Sequence, residues 1–118
     1  KIFMIGIFLR RLYMFVVTKT FHIEKEYTEM FLNRFKDKSP LFKFNGFIKR
    51  HIMVCKKDKV FDQIRLEVYF KDKKAYYLWE GSPEHIASHK KPQEKPKGIL
   101  SLEHLTYEVV QIDHYEGI

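Results

Sequence analysis

Four consecutive charged residues, Lys56, Lys57, Asp58 and Lys59, separate two runs rich in β-branched and aromatic side chains, and this restricts the fold more than any other feature. Beyond them Ile64, Leu66, Val68 and Phe70 alternate with a period of two, as in a strand with one face against a core. Before them lies Phe47 to Cys55, also strand-like. A polar turn between two such runs predicts an antiparallel hairpin of Phe47 to Cys55 with Val60 to Phe70.

The rest of the chain is organised around that hairpin. Met14 to Ile23 (MFVVTKTFHI) reads as a strand that projects Val17, Phe21 and Ile23 to one face, with Lys19 on the same face. From Glu24 to Lys38 the spacing of Tyr27, Met30, Phe31, Arg34 and Phe35 predicts an amphipathic helix that Pro40 ends. After the hairpin, Asp72 suits an N-cap and Gly81 breaks the helix that carries Ala75, Leu78 and Trp79. Ser82 and Pro83 suit the cap and first turn of another helix, which bears Ile86 and His89 and stops at Pro92. Lys91 to Gly98 has two prolines and no apolar anchor, so a surface loop is expected there. A strand from about Leu102 to Ile112 closes the domain.

The predicted order is β-α-β-β-α-β, an α+β ferredoxin-like arrangement. Two helices cover one sheet face, and the other is expected to be apolar and to pair with a second copy in a dimeric α+β barrel, so a homodimer is predicted. One domain over residues 14–118 suits the length of 118 residues, with residues 1–13 an N-terminal extension upstream of a start at Met14.

Composition narrows the function classes. The net charge of +7 allows attraction to anions, but the lysines are scattered apart from Lys90, Lys91, Lys95 and Lys97, and no nucleic-acid motif accompanies them. The single cysteine, Cys55, excludes an intramolecular disulfide and a cysteine zinc cluster. It points to a reducing, cytoplasmic setting, with the thiol packed in its strand. No apolar run reaches the roughly 18 residues that a membrane span needs.

The residues with chemistry lie in FKDKKAYYLWEGSPEHIASHKK, Phe70 to Lys91, where Trp79 and His89 stand ten apart. Taken alone, His89 is a helix-end histidine beside a favourable dipole and Trp79 a core anchor. His85 and His89 also have the i, i+4 spacing of a helical metal site, without a carboxylate that clearly completes it. The stretch nevertheless resembles the second-helix region of the IsdG-type haem-degrading monooxygenases, within the antibiotic biosynthesis monooxygenase superfamily. Their pattern runs approximately W-x-S-D/P-x-x-x-x-x-H. Lys97-Gly98-Ile99 and Tyr107-Glu108-Val109-Val110 look similar to Bacillus-type members, so the likeness spans roughly Met14 to Gln111.

That resemblance implies a fold, an activity and site residues. His89 takes the place of the haem iron ligand and Trp79 that of the residue that buckles the macrocycle, with Lys91 and its neighbours near the propionates. Haem is then both substrate and cofactor, and O2, an external electron donor and an unidentified reductase complete the reaction. One position departs from the family: its V-T-N-x pattern carries an asparagine where this chain reads Val17-Thr18-Lys19-Thr20. A short neutral amide that donates to iron-bound oxygen is thus replaced by a longer cation. Lys19 can reach the oxygen, pair with a propionate, block the site, or snorkel from the sheet edge. Two alternatives keep the fold: a cofactor-independent monooxygenase acting on a small aromatic or quinone-like molecule, and a non-catalytic haem-binding protein.

Overall fold

In the computed structural model, which describes residues 14–90 and 96–117, the charged turn joins two antiparallel strands, β2 (Phe47–Cys55) and β3 (Phe61–Phe70). Asp58 shapes the turn, its carboxylate accepting from the backbone N–H of Val60 at 2.8 Å and of Phe61 at 3.3 Å. Strand β1 (Phe15–Glu24) pairs with β3 on one side and with β4 (Ile99–Glu108) on the other, which gives an antiparallel sheet of order β2-β3-β1-β4. The predicted extension over residues 1–13 lies outside the described residues.

Helices follow the expected order but not the expected lengths. The segment predicted as one helix from Glu24 to Lys38 is a 3-10 turn, Lys25–Tyr27, followed by a short α1, Thr28–Asn33. Its apolar stripe is real only in part: Met30 is exposed, but Phe31 is buried, and its ring lies 4.8 Å from that of Phe21 and 5.4 Å from that of Phe35. The helix nonetheless ends in a turn after Asn33, and Ser39 caps a second 3-10 turn, Pro40–Lys43. The second helical region is broken as predicted. Asp72 caps α2 (Lys73–Glu80) through a 2.8 Å bond from the Ala75 N–H, Gly81 ends it, and α3 (Pro83–Lys90) restarts. Ser82 is the joint: it is buried, donates to the Trp79 carbonyl at 2.7 Å and accepts from the His85 N–H at 3.2 Å.

Gly46 fixes where α2 lands on the sheet. Its φ of +109° is open to glycine, and a Cβ there would stand 2.8 Å from that of Ala75. The helix therefore seats directly on the turn that leads into β2.

The last strand runs from Ile99 to Glu108 rather than from Leu102 to Ile112. Its last paired residue is Glu108, opposite Phe15, and beyond it the Val109 N–H donates to the Met14 carbonyl at 2.8 Å. The outer sheet face is also more polar than predicted. It carries Thr18, Thr20, His22, Gln63, Arg65, Glu67 and His51 beside Val16, Leu105 and Tyr107. Glu67 gathers three donors there: Tyr69 Oη at 2.9 Å, Arg65 Nε at 3.0 Å and His51 Nδ1 at 3.3 Å. These donors hold its carboxyl below the usual range against the opposing effect of burial, which is the largest single influence on it. Cys55, expected to be packed, is exposed at the end of the edge strand β2. No helix among the described residues is long and apolar enough to cross a membrane.

Candidate active site

The inner sheet face carries Phe15, Val17, Lys19, Phe21 and Ile23 from β1, and Lys19 divides it. On one side Phe21, Ile23, Phe31, Ile64 and Leu66 form a buried cluster under α1. On the other, Phe15, Val17, Leu41, Phe70 and Ala75 form a second cluster under α2. Although its neighbours Val17 and Phe21 are buried, Lys19 is exposed, because the helical layer leaves an opening above it. Since β1 is an interior strand, a lysine snorkelling from the sheet edge is ruled out.

That opening is a cavity of ≈ 350 Å³. Val17, Val68 and Phe70 from the sheet, Leu41 from the second 3-10 turn, and Tyr76 and Trp79 from α2 make its apolar walls. The polar groups are Lys19 and His104 from the sheet and Glu80, His85 and His89 from the helices. The structure thus brings Lys19, Trp79 and His89 to one cavity. Lys91, predicted near the propionates, lies outside the described residues, and Lys97 is exposed. A second cavity of ≈ 350 Å³ begins on the other side of Lys19, with Phe21, Phe31, Phe35 and Leu66 as apolar lining and Arg34 as a second cation.

The break at Gly81 and Ser82 sets the geometry of the helical wall. Trp79 is half-buried, its ring 5.3 Å from Phe44 in an edge contact and 5.3 Å from His85. His85 Nε2 lies 2.8 Å from Glu80 Oε2, and the His85 ring meets His89 edge-on at 4.4 Å. Neither ring nitrogen of His89 has a hydrogen-bond partner among the described residues. Tyr76 packs against Phe15 and Phe70, and burial, followed by its hydrogen bond to Glu80, pushes its hydroxyl up to about 12, so it is a neutral donor at ordinary pH.

Sequence reading missed Tyr76, Glu80, His104 and Arg34. His104 is two residues from Leu102 in a strand of period two, and that alternation puts it on the inner face. Glu80 and His85 are five apart, a spacing no regular helix brings together, and only the broken joint pairs them. The carboxylate that a metal-site reading of His85 and His89 lacked is therefore present at His85. Even so, no cluster of three or more histidine, cysteine or carboxylate side chains fit to hold a metal ion occurs among the described residues.

An antiparallel β2-β3-β1-β4 sheet with helices on one face and a cavity between the two layers defines a ferredoxin-like α+β fold. Residues 14–91 match the model of the antibiotic biosynthesis monooxygenases. The chain belongs to that family. It is similar in structure to an antibiotic biosynthesis monooxygenase-type protein from Bacillus cereus, with a TM-score of 0.76 and 27% identity over 87% of this chain and 99% of that one. The haem-degrader MhuD from Mycobacterium tuberculosis, solved with two haems in its active site, has the same fold at a TM-score of 0.63 and 17% identity, with 85% of this chain and 99% of that one covered. Among curated protein sequences none matches the chain.

Proposed function

We propose that this chain is a haem-degrading monooxygenase that takes haem between α3 and the sheet, with His89 as the iron ligand. The observation that carries the reading is His89 itself: an imidazole without a hydrogen-bond partner among the described residues, on the wall of a mostly apolar cavity that the family tryptophan also lines. The donor set fits haem. There is an imidazole, His89, on the helical wall for the iron, aromatic and aliphatic walls for the macrocycle, and cationic side chains, Lys19 and Arg34, along the two adjoining cavities for anionic substituents. When bound, haem would supply both the iron that activates dioxygen and the macrocycle that is opened, with electrons from an external donor or reductase.

The residues of the chain have separate tasks. His89 fixes position by ligation, and His85, held by Glu80, limits the rotation of the His89 ring. Trp79, wedged between Phe44 and His85, presents a rigid indole to the bound molecule. Val17, Val68 and Phe70 exclude water from the floor. A cytoplasmic homodimer belongs to the same proposal, since β4 exposes Leu100, Leu102, Leu105 and Tyr107 along an unpaired sheet edge. Analytical ultracentrifugation reads the homodimer directly.

Haemin titration into the purified protein is the deciding experiment. A Soret band at one haemin per chain is expected, with decay when a reductant is added in air. His89→Ala should weaken haemin binding at least about 100-fold, because it removes the ligand itself rather than an outer-shell partner. Identical binding by wild type and His89→Ala would refute the ligand assignment, and a stable Soret band under reductant and air would leave a haem-binding protein without the reaction. The volume of the cavity lined by Lys19 and His89, ≈ 350 Å³, favours a second reading, a cofactor-independent monooxygenase acting on a small aromatic or quinone-like molecule. Absence of any Soret band would favour that reading.

A further inference from the structure

Charged and hydrogen-bonding side chains on the sheet mostly find partners within the chain. Asp62 takes Lys25 Nζ at 2.6 Å and the Thr28 hydroxyl at 2.8 Å, His22 lies between Ser101 at 2.8 Å and Gln63 at 3.1 Å, and Glu67 takes its three donors. Lys19 and His104 are exceptions. They are directly opposite each other on β1 and β4, on the inner face, and both line the cavity that holds His89 in its wall. Directly opposed antiparallel residues have Cβ atoms about 4.5–5.5 Å apart, so the two side chains rise side by side from the floor. Neither has a hydrogen bond or an ion pair among the described residues. Glu80 is the only carboxylate among the lining residues, and it is already engaged by His85 and Tyr76.

From this juxtaposition we infer that Lys19 and His104 form a two-donor anion subsite on the sheet wall, which receives a carboxylate-sized negative group on the molecule bound in the cavity. Lys19 supplies a full charge and three rotatable donors, and His104 supplies an N–H that is present in either neutral tautomer or in the cation. Two donors at the spacing of neighbouring strands can meet both oxygens of one carboxylate, a charge-assisted arrangement stronger than neutral hydrogen bonds. Both side chains are exposed in the cavity, so they are solvated while it is empty and open to an anion that enters it. The substrate class thereby becomes narrower: a flat, mostly apolar molecule that carries an anion. The inference rests on the reading above only in placing a flat molecule in the cavity, and it does not require the haem.

Because Trp79 is the only tryptophan and lines the cavity, quenching of its fluorescence reports occupancy without any haem. The probes are 2-naphthoate and its methyl ester. Wild type should bind the acid at least about tenfold more tightly than the ester. Lys19→Met with His104→Leu should abolish that preference while leaving the ester unchanged, and Lys19→Arg should keep most of it. Equal affinity for acid and ester in wild type, an unchanged preference in the double variant, or no quenching by either probe would overturn the inference. A wild type that prefers the acid but shows no Soret band with haemin would instead refute the haem reading alone. Where haemin does bind, its dimethyl ester separates two sources of the anion. Weaker binding of that ester by wild type but not by the double variant assigns the subsite to a propionate. Equal binding of haemin and ester, with weaker azide binding by the loaded double variant, assigns it to an anion held on the iron.

Discussion

The two ends of the inner sheet face begin from the same strand, each with a buried cluster and a cavity beside it, and differ in how the helices cover them. Under α1, Phe31 lies on Phe21 at 4.8 Å, and Ile23 and Ile64 are sealed to 0% exposure. Under α2 and α3 the floor is as apolar, with Val17 and Phe70 buried, yet the helices stand off and leave a cavity with Trp79 and His89 in its wall. The difference lies in the covering layer: short α1 seals Ile23 and Ile64 and leaves a cavity along Phe21, Phe31, Phe35 and Leu66 beside them, whereas a helix broken at Gly81 and Ser82 stands over the cavity that Trp79 and His89 line. Stability is concentrated where packing is complete, and ligand capacity where it is not.

This contrast is easiest to break by truncation. Ile64→Ala leaves a sealed void at the α1 end and should cost about 2–5 kcal/mol, measured by urea unfolding. Val68→Ala, at a half-buried side chain that already lines the cavity, should cost about 1 kcal/mol, since part of its surface is in contact with open space. Equal costs would mean that the cavity is closed in solution and that the two ends do not differ.

A smaller effect sharpens the comparison through pH. At the α1 end buried Asp62 accepts from Lys25 and Thr28, and these two hydrogen bonds, opposed by burial, hold its carboxyl below the usual range. The folded state therefore binds a proton there less readily than the unfolded state, whose carboxyl titrates near about 3.9. The stabilisation is fully present above that value and is lost as pH falls through it towards the lower folded value. Asp62→Asn should remove this acid-sensitive limb and cost about 1–3 kcal/mol at neutral pH. Urea midpoints followed from pH 6 to pH 3 check both. A variant whose midpoint falls as steeply as wild type over that range would place the acid sensitivity elsewhere.

Both ends were legible in the sequence to different degrees. The alternation of Ile64, Leu66, Val68 and Phe70 located the inner face, and Ser82 and Pro83 marked the joint, because each is a local rule that the tertiary structure respects. The same strand held the clue to the polar outer face, since Gln63, Arg65, Glu67 and Tyr69 occupy the alternate positions. The expectation of an apolar outer face did not use them. First-helix length was illegible because an apolar stripe gives a helix its face but not its end. The pairing of Glu80 with His85 depends on how two helices meet at Ser82, which no periodicity encodes.

Lys19 stands at the boundary between the two ends and should give the smallest effect on folding. Its side chain replaces apolar contact between two buried clusters, but it is exposed in the cavity, so its charge keeps most of its hydration. Lys19→Met should therefore change stability by no more than about 0.5 kcal/mol, and in the favourable direction, because methionine adds contact without a charge. Thermal and urea unfolding of that variant measure the change. A loss above about 1 kcal/mol would mean that the ammonium is engaged in the folded protein, as Lys25 is with Asp62, and then Lys19 could not be a donor kept for a bound anion. A lysine that folding does not need, set between two clusters that folding does need, is what the inferred anion subsite requires.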